Sequence, residues 1–328
     1  MSAAATPRRN WRSSHDESRG VPRGMLEEGH PMIGLTDAFD TSAAERADEE
    51  LITRLRQDPN TRVLLISGDS APVADGALCF VAPDAATGDP SWAFLGRDRG
   101  GRAMLLAVYG ADAPALSQAE WTSYRTIGAF LEGFEASVFV AGLALGRWLI
   151  DSPYCPRCGE KTHVTMSGWA RRCTGCGREH FPRTDPAVIV AVTNHDRSKL
   201  LLGANAAWKG EMFSCFAGFV EAGESAELTA HRELLEETGV HIAQLNYITS
   251  QAWPFPRSLM LGYHATVVDE TEVQPDGEEI IASRWFTREE VGRGLAGELD
   301  VRLPSGASVA HHLIRTWYEE QADSSDNE

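Results

Sequence analysis

The sequence predicts an α/β protein of more than one domain, and three observations carry that expectation. The chain has 328 residues, more than one globular domain usually holds. Short apolar runs bounded by turn residues alternate with stretches of helical periodicity. Four cysteines in two closely spaced pairs interrupt the chain near its middle. A composition of 43% hydrophobic and 23% charged residues supplies enough core material for such a protein. The formal charge of −17 repels nucleic-acid backbones and anionic membranes at long range, although a local basic pocket could still hold a nucleotide.

Residues 1–30 are polar and aperiodic, which predicts a flexible arm, and they lack the apolar stretch of a secretory signal. In residues 31–120, runs such as RVLLISG and AMLLAVYG predict strands of a small N-terminal α/β or mainly β domain. Residues 121–152 lose proline, and Leu131, Phe134, Val138, Ala141 and Leu145 recur at helical steps, predicting linking helices. The most apolar part, ASVFVAGLALGRWLI, is read as too short for a membrane span and carries Arg147, so no membrane partner is expected. The cysteine module follows at 153–181, a C-terminal domain at 182–318 and an acidic flexible tail at 319–328.

Cys155, Cys158, Cys173 and Cys176 give C-x2-C-x14-C-x2-C, a spacing that places four thiolates around one zinc ion in a zinc ribbon. Gly159 and Gly177 follow the two pairs, where tight turns bring backbone donors toward sulfur. Sulfur fills every coordination position, so the zinc is expected to be structural. Lys161, Arg171, Arg172 and Arg178 make the module locally basic, which keeps a recognition role as the lesser alternative to anchoring the domain junction. Cys79 and Cys215, in apolar surroundings, read as buried thiols, and the whole distribution predicts a reducing, cytoplasmic location.

The segment GFVEAGESAELTAHRELLEETGV, residues 218–240, carries the chemistry. A strand ends in GFV, Gly223 permits a turn, a helix runs from about Ser225 to Thr238, and Gly239 stops it. Glu233, Glu236 and Glu237 share one helix face, with Leu228, Leu234 and Leu235 assigned to the buried side. Like charges at that spacing repel unless cations offset them, and hard oxygen ligands suit magnesium or manganese. Such ions neutralise charge on a diphosphate and activate water. Glu224 and Arg232 belong to the same catalytic set, with Arg232 expected to pair a glutamate and hold the loop to the helix.

The spacing resembles the Nudix box, G-x5-E-x7-R-E-U-x-E-E-x-G-U with U aliphatic, at Gly218, Glu224, Arg232, Glu233, Leu234, Glu236, Glu237, Gly239 and Val240. That resemblance implies an α/β/α sandwich and hydrolysis of a nucleoside diphosphate derivative. With the zinc module upstream and SQAWPFPRS at 250–258, the chain resembles the NADH pyrophosphatase family, whose signature is SQPWPFPxS; Ala252 stands where the signature has proline. The family splits NADH, NAD or NAD-capped RNA into a nicotinamide mononucleotide half and an adenylate half.

Carried over by resemblance, the metal ligands are Glu233, Glu236, Glu237 and, beyond the box, Glu279, with Glu278 as the alternative. Glu237 is also the candidate for orienting water. Phe219 is the platform for the nicotinamide ring and Phe181 the aromatic opposite it. Ile189 and Ala310 match pocket-lining positions, and Ser250, Gln251, Trp253 and Phe255 fall on the substrate signature. Trp253 and Phe255 are read as lying in a proline-framed loop that cannot be a central strand, in contact with the pocket or a partner subunit or, alternatively, simply packed on the surface; the family implies a homodimer. Rival readings are another substrate, such as ADP-ribose or a dinucleoside polyphosphate, and a catalytically inert nucleotide-binding module.

Overall fold

Alternation of side chains along two buried strands organises the N-terminal half. The computed structural model describes residues 39–110, 112–131, 133–269 and 273–320, all within one compact unit spanning Ile33–Glu328. The expected N-terminal arm and all but the first two residues of the acidic tail lie outside the described residues.

The N-terminal domain comprises β1 (Phe39–Asp40), α1 (Leu51–Gln57), β2 (Arg62–Ser67), β3 (Ser70–Ala74), β4 (Ala77–Leu78), β5 (Ser91–Asp98), β6 (Ala103–Tyr109), β7 (Glu120–Ser123), α2 (Tyr124–Ile127) and α3 (Gly133–Asp151). Its strands form one sheet in the order β1-β5-β6-β2-β3-β4, with β7 on β3; β2 and β6 are parallel. Successive residues face opposite sides. Leu64, Ile66, Leu106 and Val108 pack with Val138, Phe139 and Leu143 of α3, whereas Val63, Leu65, Leu105 and Ala107 pack with Leu51 and Leu55 of α1.

Two expectations are corrected here. The helical stretch is not a mere linker: α3 covers one face of the sheet and belongs to the N-terminal domain, because its buried stripe completes that core. At 19 residues, α3 is also long and apolar enough to cross a membrane by length and composition, contrary to the reading of that run as too short. Its packing makes it a core helix. Gly142 and Gly146 let it approach closely, since a Cβ at Gly142 would lie 2.6 Å from Leu64 and one at Gly146 3.1 Å from Val108.

The ribbon is a three-stranded antiparallel sheet, β8 (Thr162–Thr165), β9 (Ala170–Cys173) and β10 (Glu179–His180). It is fastened to the N-terminal domain by polar contacts. Trp169 Nε1 donates to Phe94 O at 2.7 Å, and the Arg46 guanidinium lies 3.7 Å from the Trp169 ring. Arg171, only 7% exposed, donates to Leu149 O in the last turn of α3 at 2.6 Å, where a cation suits the helix end.

The C-terminal domain contains β11 (Asp185–Thr193), β12 (Lys199–Asn205), β13 (Phe216–Phe219), α4 (Ala226–Thr238), β14 (Ile242–Trp253), β15 (Ser258–Val267), β16 (Ile280–Thr287), α5 (Arg288–Leu295) and α6 (Val309–Glu319). The sheet order is β14-β15-β11-β12-β16, with β13 also on β11 and the β11–β15 pair parallel. Val188, Val190 and Val192 face Ala230 and Leu234 of α4. Ile189 and Ala191 face α6 through Ala310, Leu313 and Ile314, completing the expected α/β/α sandwich.

Candidate active site

The box helix begins where expected. Ser225 has extended backbone and accepts a hydrogen bond from Leu228 N, Glu227 lies in the first turn, and Gly239 ends the helix at φ 70°. Its buried stripe runs through Ala230, Leu234, Glu237 and Thr238. Leu234 faces the sheet as predicted, but Leu228 and Leu235 are exposed. They lie outside that stripe, so the helix spends a carboxylate, rather than a leucine, on its inner face.

Arg232 organises the loop. It makes two 2.8 Å contacts to Glu224, donates to Phe219 O at 3.1 Å, and reaches Glu233 at 2.9 Å and Glu236 at 3.1 Å. Glu224 also accepts from Thr229 Oγ1 at 2.8 Å and from Glu221 N at 3.2 Å. The Arg232 guanidinium holds the Glu224 carboxyl down to about 2. With their hydrogen bonds committed in this way, Glu224 and Arg232 have the geometry of positioning residues. This is the loop-holding arrangement expected for Arg232, whose fork-like guanidinium ties strand end, loop and helix together.

Gly218 is explained by the same cluster. A Cβ at this position would stand 1.9 Å from the Glu233 carboxyl carbon, so glycine leaves the space in which that carboxylate lies against β13. Burial raises the Glu233 carboxyl above its ordinary range, against the opposing effect of Arg232. Glu237 is only 4% exposed, and its Oε2 has no hydrogen-bond partner. Burial first, and then the charges of Glu279, Glu233, Asp276 and Glu236, push its carboxyl up to about 8.

An orphaned carboxylate oxygen among like charges fits a hard divalent cation. Glu233, Glu236, Glu237 and Glu279 are the residues that could hold it. Their oxygens are not drawn into one tight group, since Arg232 binds Glu233 and Glu236; among the described residues only the cysteine set gathers its ligand atoms within 4.8 Å of one another. Glu279 comes from the start of the segment entering β16, and Asn205 Nδ2 donates to its Oε1 at 3.2 Å.

The four ribbon sulfurs form a closed site for structural zinc. Cys155 and Cys176 Sγ are 3.7 Å apart, and Cys158 and Cys173 Sγ 3.4 Å. Cys176 N approaches Cys173 Sγ at 3.4 Å, and backbone donors of this turn bring the Cys173 thiol down to about 6. Gly159 and Gly177 take φ of 78° and 70°, as the turn after each pair requires. The basic face is smaller than its sequence suggests: Arg171 is buried, and Arg172 pairs with Glu179 at 3.0 Å. Of the other two thiols, Cys215 is buried as expected, but Cys79, directly after β4, is only partly buried.

The signature residues divide by role. Phe219 and Phe181 are 55% and 50% exposed, with Phe219 at the mouth of the box loop. Ile189 and Ala310 do not form an open wall, since both are buried between the sheet and α6. Of residues 250–258, only 254–257 form the expected proline-framed turn. Ser250, Gln251 and Trp253 end edge strand β14, and a tight turn with a cis Phe255–Pro256 bond leads into β15. Ala252 is exposed on that edge strand, opposite Leu259.

The buried Gln251 receives Val309 N at 2.7 Å and donates to Ala307 O at 2.8 Å, fixing the start of α6. Trp253 and Phe255 pack on the N-terminal core, with Tyr124 edge-on to Trp253 and Arg125 at 3.9 Å from the Phe255 ring. Within one chain these two aromatics join domains rather than line the box, because the hairpin points its ring pair toward α2. Asn205 and Asp276 were missed from the sequence. The PDGEE turn carried the one readable signal, an Asp-Gly pair ahead of Glu279.

A sandwich with this box and carboxylate set defines a Nudix domain. The NUDIX domain family matches residues 183–304, and the NADH pyrophosphatase zinc ribbon domain matches residues 150–181. The NAD-capped RNA hydrolase NudC of Mycobacterium tuberculosis (strain ATCC 25618 / H37Rv) is 37% identical over 277 residues, covering 80% of this chain and 85% of its own. The NAD-capped RNA hydrolase NUDT12 of Homo sapiens is 36% identical over 200 residues, covering 56% of this chain and 42% of its own. A crystal structure of a NUDIX hydrolase from Nitrosomonas europaea is similar over 52% of this chain and 92% of that chain, at 22% identity and a TM-score of 0.38. The chain belongs to the zinc-ribbon-bearing Nudix hydrolase family that includes the mycobacterial relative.

Proposed function

We propose that this chain hydrolyses the pyrophosphate bond of NADH and NAD, giving nicotinamide mononucleotide and AMP, and removes the NAD cap from RNA by the same reaction. The observation that carries this reading is the buried Glu237 carboxylate with an unpartnered oxygen, inside a complete box whose chain also bears the NADH pyrophosphatase ribbon. The 37% identity to NAD-capped RNA hydrolases over 80% of the chain supports the substrate class.

Glu233, Glu236, Glu237 and Glu279 would hold magnesium or manganese. When bound, these ions neutralise charge on the diphosphate and make water a better nucleophile. Glu237 orients the attacking water and takes up its proton; one P–O bond of the anhydride breaks as the new one forms. Arg232 keeps Glu233 and Glu236 on the helix face and the Phe219 carbonyl in the loop. The Phe219 ring, exposed at the end of β13, offers an apolar face to the nicotinamide, with Phe181 as the second aromatic.

Half-exposed rings also support a homodimer in which a second copy helps to enclose the base, and free thiols outside the ribbon support a cytoplasmic location. Sedimentation velocity checks the dimer: a species of one chain's mass at micromolar concentration refutes it. The substrate test compares NADH, ADP-ribose and a dinucleoside polyphosphate at equal concentration with magnesium or manganese. The expected preference is for NADH, and a clear preference for ADP-ribose overturns the assignment.

A further inference from the structure

Three of the four acidic side chains sit on one rigid helix; Glu279 does not. It is exposed on the turn that leads into β16, so packing does not fix its side chain. Its main chain is anchored to the box helix. Gln274 N and Asp276 N donate to Thr238 O at 3.0 Å and Glu237 O at 3.3 Å, and Asp276 Oδ1 accepts from the amides of Glu278, Glu279 and Ile280 at 2.9, 3.1 and 2.9 Å. The side chain needs a separate restraint.

Asn205 supplies it. The β12–β16 ladder shifts register there: Ala204 stands opposite Ala282, but Asn205 stands opposite Ile280. Ala206 N then donates to Glu279 O at 2.8 Å. Asn205 Oδ1 is already occupied, accepting from Ala207 N at 2.9 Å, so the amide is turned with its NH2 toward Glu279 Oε1, 3.2 Å away. An oriented donor, fixed by its own backbone contact, therefore holds an otherwise unrestrained carboxylate.

We propose that Asn205 is a positioning residue that presents Glu279 to the divalent cation and thereby sets cation affinity. The proposal rests on the metal-dependent reading of the box. Its test is Mn2+ binding by the full-length, zinc-loaded chain without substrate, followed by the electron-paramagnetic resonance of free Mn2+. Asn205→Ser keeps an oxygen that can cap the 206–208 turn but is too short to reach Glu279. Loss of a ligand's outer partner weakens metal binding about ten-fold at the lower end. Asn205→Ser is expected to weaken Mn2+ binding by about that factor, and to add nothing in a Glu279→Gln background.

Melting of the metal-free variants checks that the turn still folds. Wild-type Mn2+ affinity in Asn205→Ser, or an equal loss with and without the Glu279 carboxylate, overturns the proposal while leaving the box reading intact. Failure of the wild-type chain to bind Mn2+ at a site abolished by Glu237→Gln overturns the box reading itself and this proposal with it.

Discussion

Replacing Gly218 with alanine separates the space that the box glycine provides from the fold that surrounds it. The backbone at Gly218 is ordinary strand paired with Val188, outside the left-handed region, so alanine meets no conformational penalty there. The added Cβ would meet the Glu233 carboxyl carbon and Oε1 at 1.9 Å and Oε2 at 2.4 Å. Ordinary contact begins at 3.4 Å, so the carboxylate must move by about 1.5 Å. The obstacle is the end of a flexible side chain, which can swing away without disturbing β13. A misplacement of about 1 Å in a catalytic constellation can cost on the order of a hundred-fold in rate.

Gly218→Ala is therefore expected to lower NADH turnover by roughly a hundred-fold at saturating cation, with a melting temperature within a few degrees of wild type. Glu233→Ala in the same assay gives the floor, and the double variant should fall no further, since both changes remove the same carboxylate. Retention of more than about a third of wild-type turnover by Gly218→Ala would refute the argument, as would strictly multiplicative losses in the double variant.

Other outcomes follow from the remaining contacts. Glu237→Gln is expected to lose turnover by orders of magnitude with magnesium or manganese present; unchanged turnover refutes its role. In the metal-free protein its raised carboxyl makes the folded chain hold a proton that the unfolded chain releases near 4.5, so this contribution to stability is full below that pH and is lost as pH rises toward 8. Melting in chelator should show a midpoint that falls over this window and flattens in Glu237→Gln; parallel profiles would contradict it. Arg125→Ala removes a cation–π contact worth about 0.5–1 kcal/mol at an exposed site, and hydrogen exchange in the 254–257 turn should quicken; unchanged exchange means Phe255 docks without it. Cys173→Ser is expected to lose zinc and to loosen the last turn of α3, which Arg171 ties to the ribbon; full protection at Leu149 and Ile150 after zinc loss counts against that link.

The local parts were legible in the sequence because their determinants are local. Ser225 and Gly239 mark both ends of α4, the cysteine spacing announces the ribbon, and AVIVAV reads as a buried strand. What was not legible depends on contacts far apart along the chain. Trp253 and Phe255 look like substrate-loop aromatics until Tyr124 and Arg125 come to meet them. Asn205 gains its position from a ladder irregularity that no spacing rule announces. The leucines of α4 were assigned by residue type, whereas the inner stripe was decided by where Ala230 and Glu237 fall on the helix.

The close seating of α3 bears on how the chain is made. Among the described residues this is the one helix with the length and apolarity of a membrane span. The strands that it covers, β2, β5 and β6, all precede it in the chain, and Gly142 and Gly146 are cut to the shape of Leu64 and Val108. Every strand that α3 covers is therefore synthesised before it, so the helix has a face of matching shape to pack on as soon as the domain folds.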